Sequence, residues 1–518
     1  MLDRRQFLRL AGVAAGVGAG VGLAGCTRHS PARARSSPTP AGPSSSAPGQ
    51  VPWEKLKLTG PVVRPGDAGY DRVRLLFNPR FDAVRPAALA RCATAQDVQR
   101  CVAFVREHSV PLALRSGGHS YGGWSTGPGL VVDVSALAVV TATGDTVTTG
   151  PGAQLVDVYD TLAAQGRAIA AGSCPTVGIG GLTVGGGIGV LSRAWGLTCD
   201  SLTAVEVVTA DGAVRRCDAG HEPDLFWACR GGGGGSFGVV TSLTLRTRPV
   251  PPVTVAFLRW DWRRAADVLA AWQALAPTAP DAVWSNCHLL SQAGATTPKV
   301  TVGVVALDAN AAAAFVAALT AQAGTPAGRS LSTLSYRSAM LLEAGCADRT
   351  VLQCHLAGPS GGQLPRAPFA AKSAVFTKVL PTAGLSAVVD GVERRQAVRG
   401  WAEGGVAFDA LGGAVGRVAP DATAFPHRAA LFSAQYTAAW ATADPPATVS
   451  GNVAWLRTFH ATLQAYASGG AYVNYADPDL AGYPAAYWGD NYPRLQKVKA
   501  TYDPHDMFTS PQAVRLRA

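Results

Sequence analysis

The sequence predicts an α+β protein, and three observations carry that reading. Stretches such as residues 239–247 (VVTSLTLRT) alternate apolar and polar side chains, the period of a half-buried strand. Stretches such as residues 97–108 (DVQRCVAFVREH) set apolar residues at i, i+3, i+4 and i+7, the face of an amphipathic helix. Glycine-dense loops join these pieces up to about residue 250, and beyond it longer strands and alanine-rich helices take over. More than 450 residues follow the first fifty, too many for one simple core, so two domains are expected.

Taken in order, residues 67–77 read as an opening helix with Tyr70 and Phe77 turned inward. Residues 86–91 read as a strand, 97–108 as a helix, and 111–118 (PLALRSGG) as a short buried strand leading into a loop. LVVDVSAL and the hairpin VTATGDTVTTGPGA alternate, a helix is expected over 155–165, and AVEVVTADGAVRRC is two strands across an Asp211-Gly212 turn. In the second half TVAFLRWDW and KVTVGVVAL read as strands, with RRAADVLAAWQALA and ANAAAAFVAALTAQA as helices covering one face. NVAWLRTFHATLQAY is helical, residues 472–480 (YVNYADPDL) read as an extended strand and turn, and residues 487–508 close with an amphipathic helix and an Asp-Pro turn.

The chemistry concentrates between Arg115 and Asp200. RSGGHSYGGWS holds one histidine, His119, among glycines, and GSCPTVGIGGLTVGGGIGVLSRAWGLTCD opens on Cys174. Glycine loses the most backbone entropy on folding, so this density marks places where backbone passes close to something or takes positive φ. Bare amides can cradle phosphate oxygens, and an imidazole and a thiol in two such loops suit a cofactor held by bonds as well as contacts. By itself a histidine in a glycine loop is a turn residue, and a lone cysteine is inert core; the pair is what carries weight. GGGSFG at 233–238 fits G-x-G-x-x-G, but a strand follows it instead of a helix, which excludes a nicotinamide site and leaves a tight turn feeding a strand.

Composition removes other classes. Of the formal charge of +11, five come from the leader and tether, where Arg4, Arg5, Arg9, Arg28, Arg33 and Arg35 face only Asp3. The remainder has no basic run interleaved with aromatics, so nucleic-acid binding is not expected. The ten cysteines show no C-x-x-C spacing and no metal site is expected, while Cys346/Cys354 and Cys92/Cys101 are candidate disulfides. Residues 1–26 read as a twin-arginine signal (Arg4-Arg5-Gln-Phe-Leu) with a hydrophobic core too short to span a membrane. Leu23-Ala24-Gly25-Cys26 looks like a lipobox, so Cys26 is a candidate lipid anchor, and residues 27–55 read as a disordered Pro/Ser-rich tether.

The R-S-G-G-H and C-P-T-x-G segments resemble the flavin-binding halves of the berberine bridge enzyme-like oxidoreductases of the vanillyl-alcohol oxidase superfamily. The tail, with its Y-x-N-Y and N-Y-x-R-L-x-x-V-K-x-x-Y-D-P pattern, resembles them too, so the likeness runs from about Val63 to the C-terminus. It implies a two-part FAD-binding domain of the PCMH type at 56–250 and 446–518, with an inserted α+β substrate domain at 251–445, an antiparallel sheet covered by helices. It implies FAD joined to His119 through its 8α-methyl and to Cys174 through C6. Around the flavin it places Arg115, Ser116, Gly117, Gly118, Ser120 and Tyr121. From the second segment it adds Gly172, Thr176, Val177, Gly178, Gly181, Gly187, Gly189 and Asp200, and from the remainder Gly238, Val240, Asn474 and Asn491. Tyr475 is the expected base, with Tyr472 supporting it or sharing the proton, and Gln435 faces substrate. Ser433 stands where some plant relatives carry an activating lysine.

The expected function is an exported FAD oxidase, lipid-anchored or free and expected to be a monomer, that takes a hydride from a hydroxyl-bearing carbon of a carbohydrate or similar molecule to flavin N5. Oxygen would be reduced to peroxide, because Val177, three residues after the bridging cysteine, is smaller than the leucine of oxygen-unreactive members. The alternatives are a tailoring oxidase or oxidative cyclase of a secondary metabolite, and a surface protein that carries flavin without catalysis.

Overall fold

A computed structural model describes residues 51–398 and 400–517; the twin-arginine motif, the Cys26 lipobox and most of the tether lie outside them. The end of the expected tether belongs to the fold. Trp53 stacks on Phe104 with ring centroids 5.4 Å apart, and Leu56 is buried in the same cluster. No helix of the described residues is long and apolar enough to cross a membrane.

The first sheet runs in the order β1 (Val62–Val63), β2 (Ala88–Arg91), β4 (Leu130–Asp133) and β3 (Leu112–Arg115), with β2 and β3 parallel to β4. β2 and β4 are buried almost throughout, as strands covered on both faces must be. Helix α1 (Ala95–His108) starts at Thr94, whose hydroxyl accepts from the Asp97 amide at 3.1 Å. The Asp97 carboxylate in turn accepts from the amides of Thr59, Gly60 and Ala93, so the helix start fixes the incoming chain.

The second sheet is antiparallel: β5 (Val140–Thr143), β6 (Thr146–Thr149), β10 (Val239–Arg246), β8 (Leu202–Val208) and β9 (Val214–Cys217). β7 (Arg167–Ala168) and β11 (Arg248–Pro249) form a small separate ladder. Helices α2 (Leu155–Ala163) and α3 (Ile179–Val184) flank the glycine loops. The third sheet has seven antiparallel strands in the order β15 (Gly328–Leu334), β12 (Val253–Trp260), β14 (Lys299–Ala306), β13 (Val283–Ser291), β17 (Gly404–Ala410), β18 (Phe432–Ala439) and β16 (Phe369–Phe376).

Alternation divides that sheet into a packed face and a working face. Val283, Cys287, Leu289, Val406, Phe408, Ala434 and Tyr436 join one core with α4 (Ala265–Leu275), α5 (Ala309–Ala323), α7 (Thr382–Gln396) and α8 (Pro446–Gln464). The residues between them face the first half of the chain, as does α6 (Tyr336–Glu343), whose Tyr336 and Met340 share a cluster with Val255, Val305 and Trp284. After α8 the chain returns, and α9 (Tyr492–Tyr502) docks beside the glycine turns. Its fully buried Lys499 donates to the carbonyls of Ser236 (3.0 Å) and Phe508 (2.6 Å) and pairs with Asp503. The α+β expectation, including the helix-covered antiparallel sheet, is what the structure shows.

Three local expectations are corrected. The opening helix shrinks to one turn, Tyr70–Val73. The Val73 carbonyl, which should accept from residue 77, instead accepts from Arg115 Nη1 at 2.6 Å, while the Phe77 amide donates to Gly118. Residues 472–480 form no strand; the amides of Tyr475 and Leu480 close turns onto Tyr472 and Asp477, and side chains take the anchoring role a ladder would have had. Cys346 and Cys354 are bonded, but Cys92 and Cys101 are free thiols whose sulfurs lie 3.8 Å apart in the core.

Candidate active site

A cavity of about 660 Å³ lies between the glycine loops and the working face of the seven-stranded sheet, within the range of small-molecule sites. Its floor is the turn after β3, the turn before α3 and the turn before β10. Arg115, the last residue of β3, is buried and donates to the carbonyls of Val73, Arg74 and Ser125, which fixes where the loop departs. Gly117 and Gly178 then pass so close that a Cβ on Gly117 would lie 2.2 Å from the Gly178 nitrogen. That contact brings the two halves of the site together, and only glycine permits it.

His119 stacks on Phe77 at 4.1 Å and its Nε2 is hydrogen-bonded to the Thr176 hydroxyl at 2.8 Å. The same hydroxyl lies 4.0 Å from Cys174 Sγ, so Thr176 sits between the two reactive side chains. Burial pushes His119 down to about 3, which leaves a neutral imidazole with a lone pair to give. Burial raises Cys174, and hydrogen bonds from the Thr176 backbone and side chain and the Val177 backbone oppose it.

The floor fits a flavin nucleotide on its own geometry. Among the described residues, none of the amides of 117–121 donates to another backbone carbonyl or side chain. Gly181 opens onto the cavity with nothing within 4 Å of where a Cβ would stand. Ser116, Gly118, Ser120, Tyr121, Gly172, Val177, Gly189, Gly238 and Val240 all line the same space. Unpaired amides and empty glycine faces are what phosphate oxygens and a flat ring require.

Three expected cofactor residues do not line the cavity, and each has another employment. Asp200 forms a two-pronged pair with buried Arg428, both oxygens at 2.8 Å. Asn491 donates to the carbonyls of Pro420 and Thr423. Gly187 is a packing glycine: at φ 84° its Cβ would strike Thr198 Oγ1, and its amide donates to the Tyr472 hydroxyl at 2.8 Å.

The tail supplies one wall. Tyr472 is buried, and its hydroxyl also accepts from the Ile188 amide (3.3 Å) and from Asn474 Nδ2 (2.8 Å). Asn474 donates to the Leu182 carbonyl as well, and it lines the cavity. Tyr475 lies parallel to Tyr121 with centroids 5.4 Å apart, and Tyr121 accepts a 2.6 Å hydrogen bond from Gln435 of β18. Burial, with Asp409 as the next cause, raises Tyr475 well above the ordinary tyrosine value.

The roof holds residues that the sequence reading passed over. β13 presents Trp284, Asn286, His288 and Leu290, and β17 presents Ala407 and Asp409. Asp409 pairs across the sheet with Asn286 on one side and Ser433 on the other, and Ala407 pairs with His288 and Gln435. Burial pushes the Asp409 carboxyl up to about 7 and His288 down to about 4. The available signal was an aspartate at a working-face position inside an otherwise apolar alternating strand, GGVAFDA. Ser433, in place of a lysine, is buried with its hydroxyl unpartnered.

The family models for "FAD binding domain" and "Berberine and berberine like" match residues 86–218 and 471–515, the floor and the tail wall. The chain is 33% identical over 479 residues to the uncharacterized FAD-linked oxidoreductase YgaK of Bacillus subtilis (strain 168), covering 89% of this chain and 98% of that one. It is 30% identical to the aclacinomycin-N/aclacinomycin-A oxidase of Streptomyces galilaeus over 86% and 88% of the two chains. A solved chitooligosaccharide oxidase superposes with a TM-score of 0.79 at 27% identity, over 90% of this chain and 98% of that one. With two flavin-binding segments closed by a tyrosine-bearing tail, and a relative matched end to end, the chain belongs to the berberine bridge enzyme-like FAD-linked oxidoreductases.

Proposed function

We propose that the protein is an exported oxidase that removes hydride from a hydroxyl-bearing carbon of a carbohydrate, with oxygen as acceptor. The observation that carries this reading is that Tyr475 and Asp409 line one cavity with the loops of His119 and Cys174, and that the Asp409 charge acts on the Tyr475 phenol. FAD, when bound, supplies the hydride acceptor and passes the electrons on to oxygen. The chain supplies the base. A neutral phenol far above its ordinary value takes a proton only if it can hand one on, and a carboxylate near 7 is matched to that task at neutral pH. Tyr475 accepts the substrate hydroxyl proton as its own passes to Asp409. Tyr472, with three N–H groups on its oxygen, holds the 187–189 turn in place.

The reading includes attachment of the cofactor through both His119 and Cys174, which Thr176 touches at once. The twin-arginine leader supports export. The solved chitooligosaccharide oxidase supports a sugar substrate, and the aclacinomycin oxidase supports the second reading, a tailoring oxidase. Peroxide release from a panel of sugars beside a panel of aromatic alcohols and glycosides separates them. Turnover of sugars is expected, and turnover of the aromatic panel alone rejects that substrate class. Acid-precipitated protein should stay yellow, and so should His119→Ala and Cys174→Ala singly; colourless precipitate from the unaltered protein rejects both links.

A further inference from the structure

Helix α6 lies beside the 173–175 loop and ends on Glu343, and its Met340 and Leu342 share an apolar cluster with Trp284, the second residue of β13. Both line the cavity, and both carry an enclosed polar atom with no hydrogen-bond partner, Glu343 Oε1 and Trp284 Nε1. Trp284 is 5% exposed. A buried donor and a buried acceptor left unmade each carry a desolvation cost, and native proteins keep such groups where something else satisfies them.

The charges of the lining narrow what that something is. Its charged side chains are Arg115, Glu343, Glu403 and Asp409. Arg115 is spent on backbone carbonyls, and Glu403 is paired with Lys299. Among the described residues the lining therefore offers a ligand two unpaired carboxyl groups and no free cation. An anionic sugar, a uronic acid or a sugar phosphate, would find no cationic side chain free to pair with it here.

We propose that Glu343 and Trp284 form a subsite for a protonated amine, and that the substrate class is an oligosaccharide containing an amino sugar. The ammonium meets the Glu343 carboxylate and the indole face, the pairing that recognises alkylammonium groups elsewhere. A neighbouring hydroxyl or ring oxygen accepts from Trp284 Nε1. One sugar unit brings both groups, and a neutral sugar offers the carboxyl a hydroxyl in place of the charged donor. Burial pushes unliganded Glu343 up to about 8, as a carboxyl without a partner requires, and an arriving ammonium displaces its proton.

The inference rests on the carbohydrate reading, and the test separates the two. The loaded enzyme is given cellobiose and the glucosamine dimer, which differ in the presence of amines, and kcat/KM is compared. The glucosamine dimer should be preferred by at least tenfold. Glu343→Gln should remove that preference, lowering the amine substrate about 10- to 100-fold, the range for a hydrogen bond to a charged group, and cellobiose by a distinctly smaller factor. Trp284→Phe, which keeps a ring and loses the N–H, should lower both modestly. Equal or better use of cellobiose, or a preference that survives Glu343→Gln, overturns the subsite and leaves the carbohydrate reading standing. Turnover of neither dimer while aromatic glycosides react overturns the carbohydrate reading. In that case titration of the flavin absorbance with glucosamine dimer decides the subsite: tighter binding than cellobiose that Glu343→Gln abolishes upholds it, and no such difference overturns it.

Discussion

The floor and the roof of the cavity solve opposite problems. The floor is built of turns in which backbone touches backbone: a Cβ on Gly189 would lie 1.8 Å from the Ala171 carbonyl oxygen, and one on Gly150 2.1 Å from that of Leu137. The roof is a regular sheet whose working face is a grid of side chains, Asn286–Asp409–Ser433 in one row and His288–Ala407–Gln435 in the next. A floor made by close backbone approach admits few substitutions. A roof made by alternation admits many, because each side chain can change while the ladder beneath it stays. On the proposed function, the cofactor falls to the part that tolerates little change and the choice of substrate to the part that tolerates more.

The largest expected effect lies where floor and roof meet. Tyr475→Phe keeps the ring against Tyr121 but removes the proton acceptor, so flavin reduction in stopped flow should slow by about 10²–10⁴-fold with flavin content unchanged. A near-normal rate would move the base elsewhere in the roof. Asp409→Asn should cost less, on the order of 10–100-fold, and change the pH profile. A base works deprotonated, so the normal rate should rise as pH passes through about 7, and the variant should lose that limb. The stability sign is opposite. The folded value lies above the unfolded carboxyl value, so stability from this group is full at acid pH and lost as pH rises through about 7. Asp409→Asn should therefore raise the melting temperature more at pH 8.5 than at pH 5, and an equal shift at both would contradict the burial argument.

A smaller pair sharpens the contrast within the floor. Gly189→Ala should lower stability by roughly 1–3 kcal/mol or prevent folding, as overpacking does. Gly181→Ala, facing open space inside α3, should keep or raise the melting temperature, by up to about 1 kcal/mol for helical glycine, and should show its harm as reduced flavin content. Equal damage from both would mean that the space at Gly181 is not reserved for a ligand. Smallest is Val177→Leu, one methylene at the lining. Aerobic reoxidation of reduced enzyme should slow while reduction by substrate does not, and an unchanged reoxidation rate would remove Val177 as the oxygen gate.

The contrast also explains what could be read from the sequence. Floor chemistry is local: His119 with its glycines and Cys174 with its Pro-Thr stand in short contiguous runs. Roof chemistry is distributed, one residue in two over three distant strands, so Asp409, His288 and Trp284 carry no signature until register aligns them. Half-buried Asp200 and buried Asn491, which do not reach the cavity, have partners, Arg428 and the 420–423 loop, that are remote in sequence. Periodicity found many of the long elements but passed over the helix Thr382–Gln396 and the strand Phe369–Phe376. It failed at 67–77 and 472–480, where the Arg115 guanidinium and the hydroxyls of Ser373 and Tyr487 took over backbone hydrogen bonds that a helix or ladder would have made.

The buried Lys499, gripping the Ser236 carbonyl from α9, has a consequence for the order of events during synthesis. The floor turns are made before the roof, yet Tyr472, Lys499 and Val514 that brace them, the last through its amide to Ser236 Oγ at 3.1 Å, leave the ribosome only after every roof strand. A nascent chain holds a floor with no brace and a roof with no wall. A chain cut short before residue 499 lacks that brace, so it is expected to carry less flavin than the whole chain, read as flavin absorbance per protein.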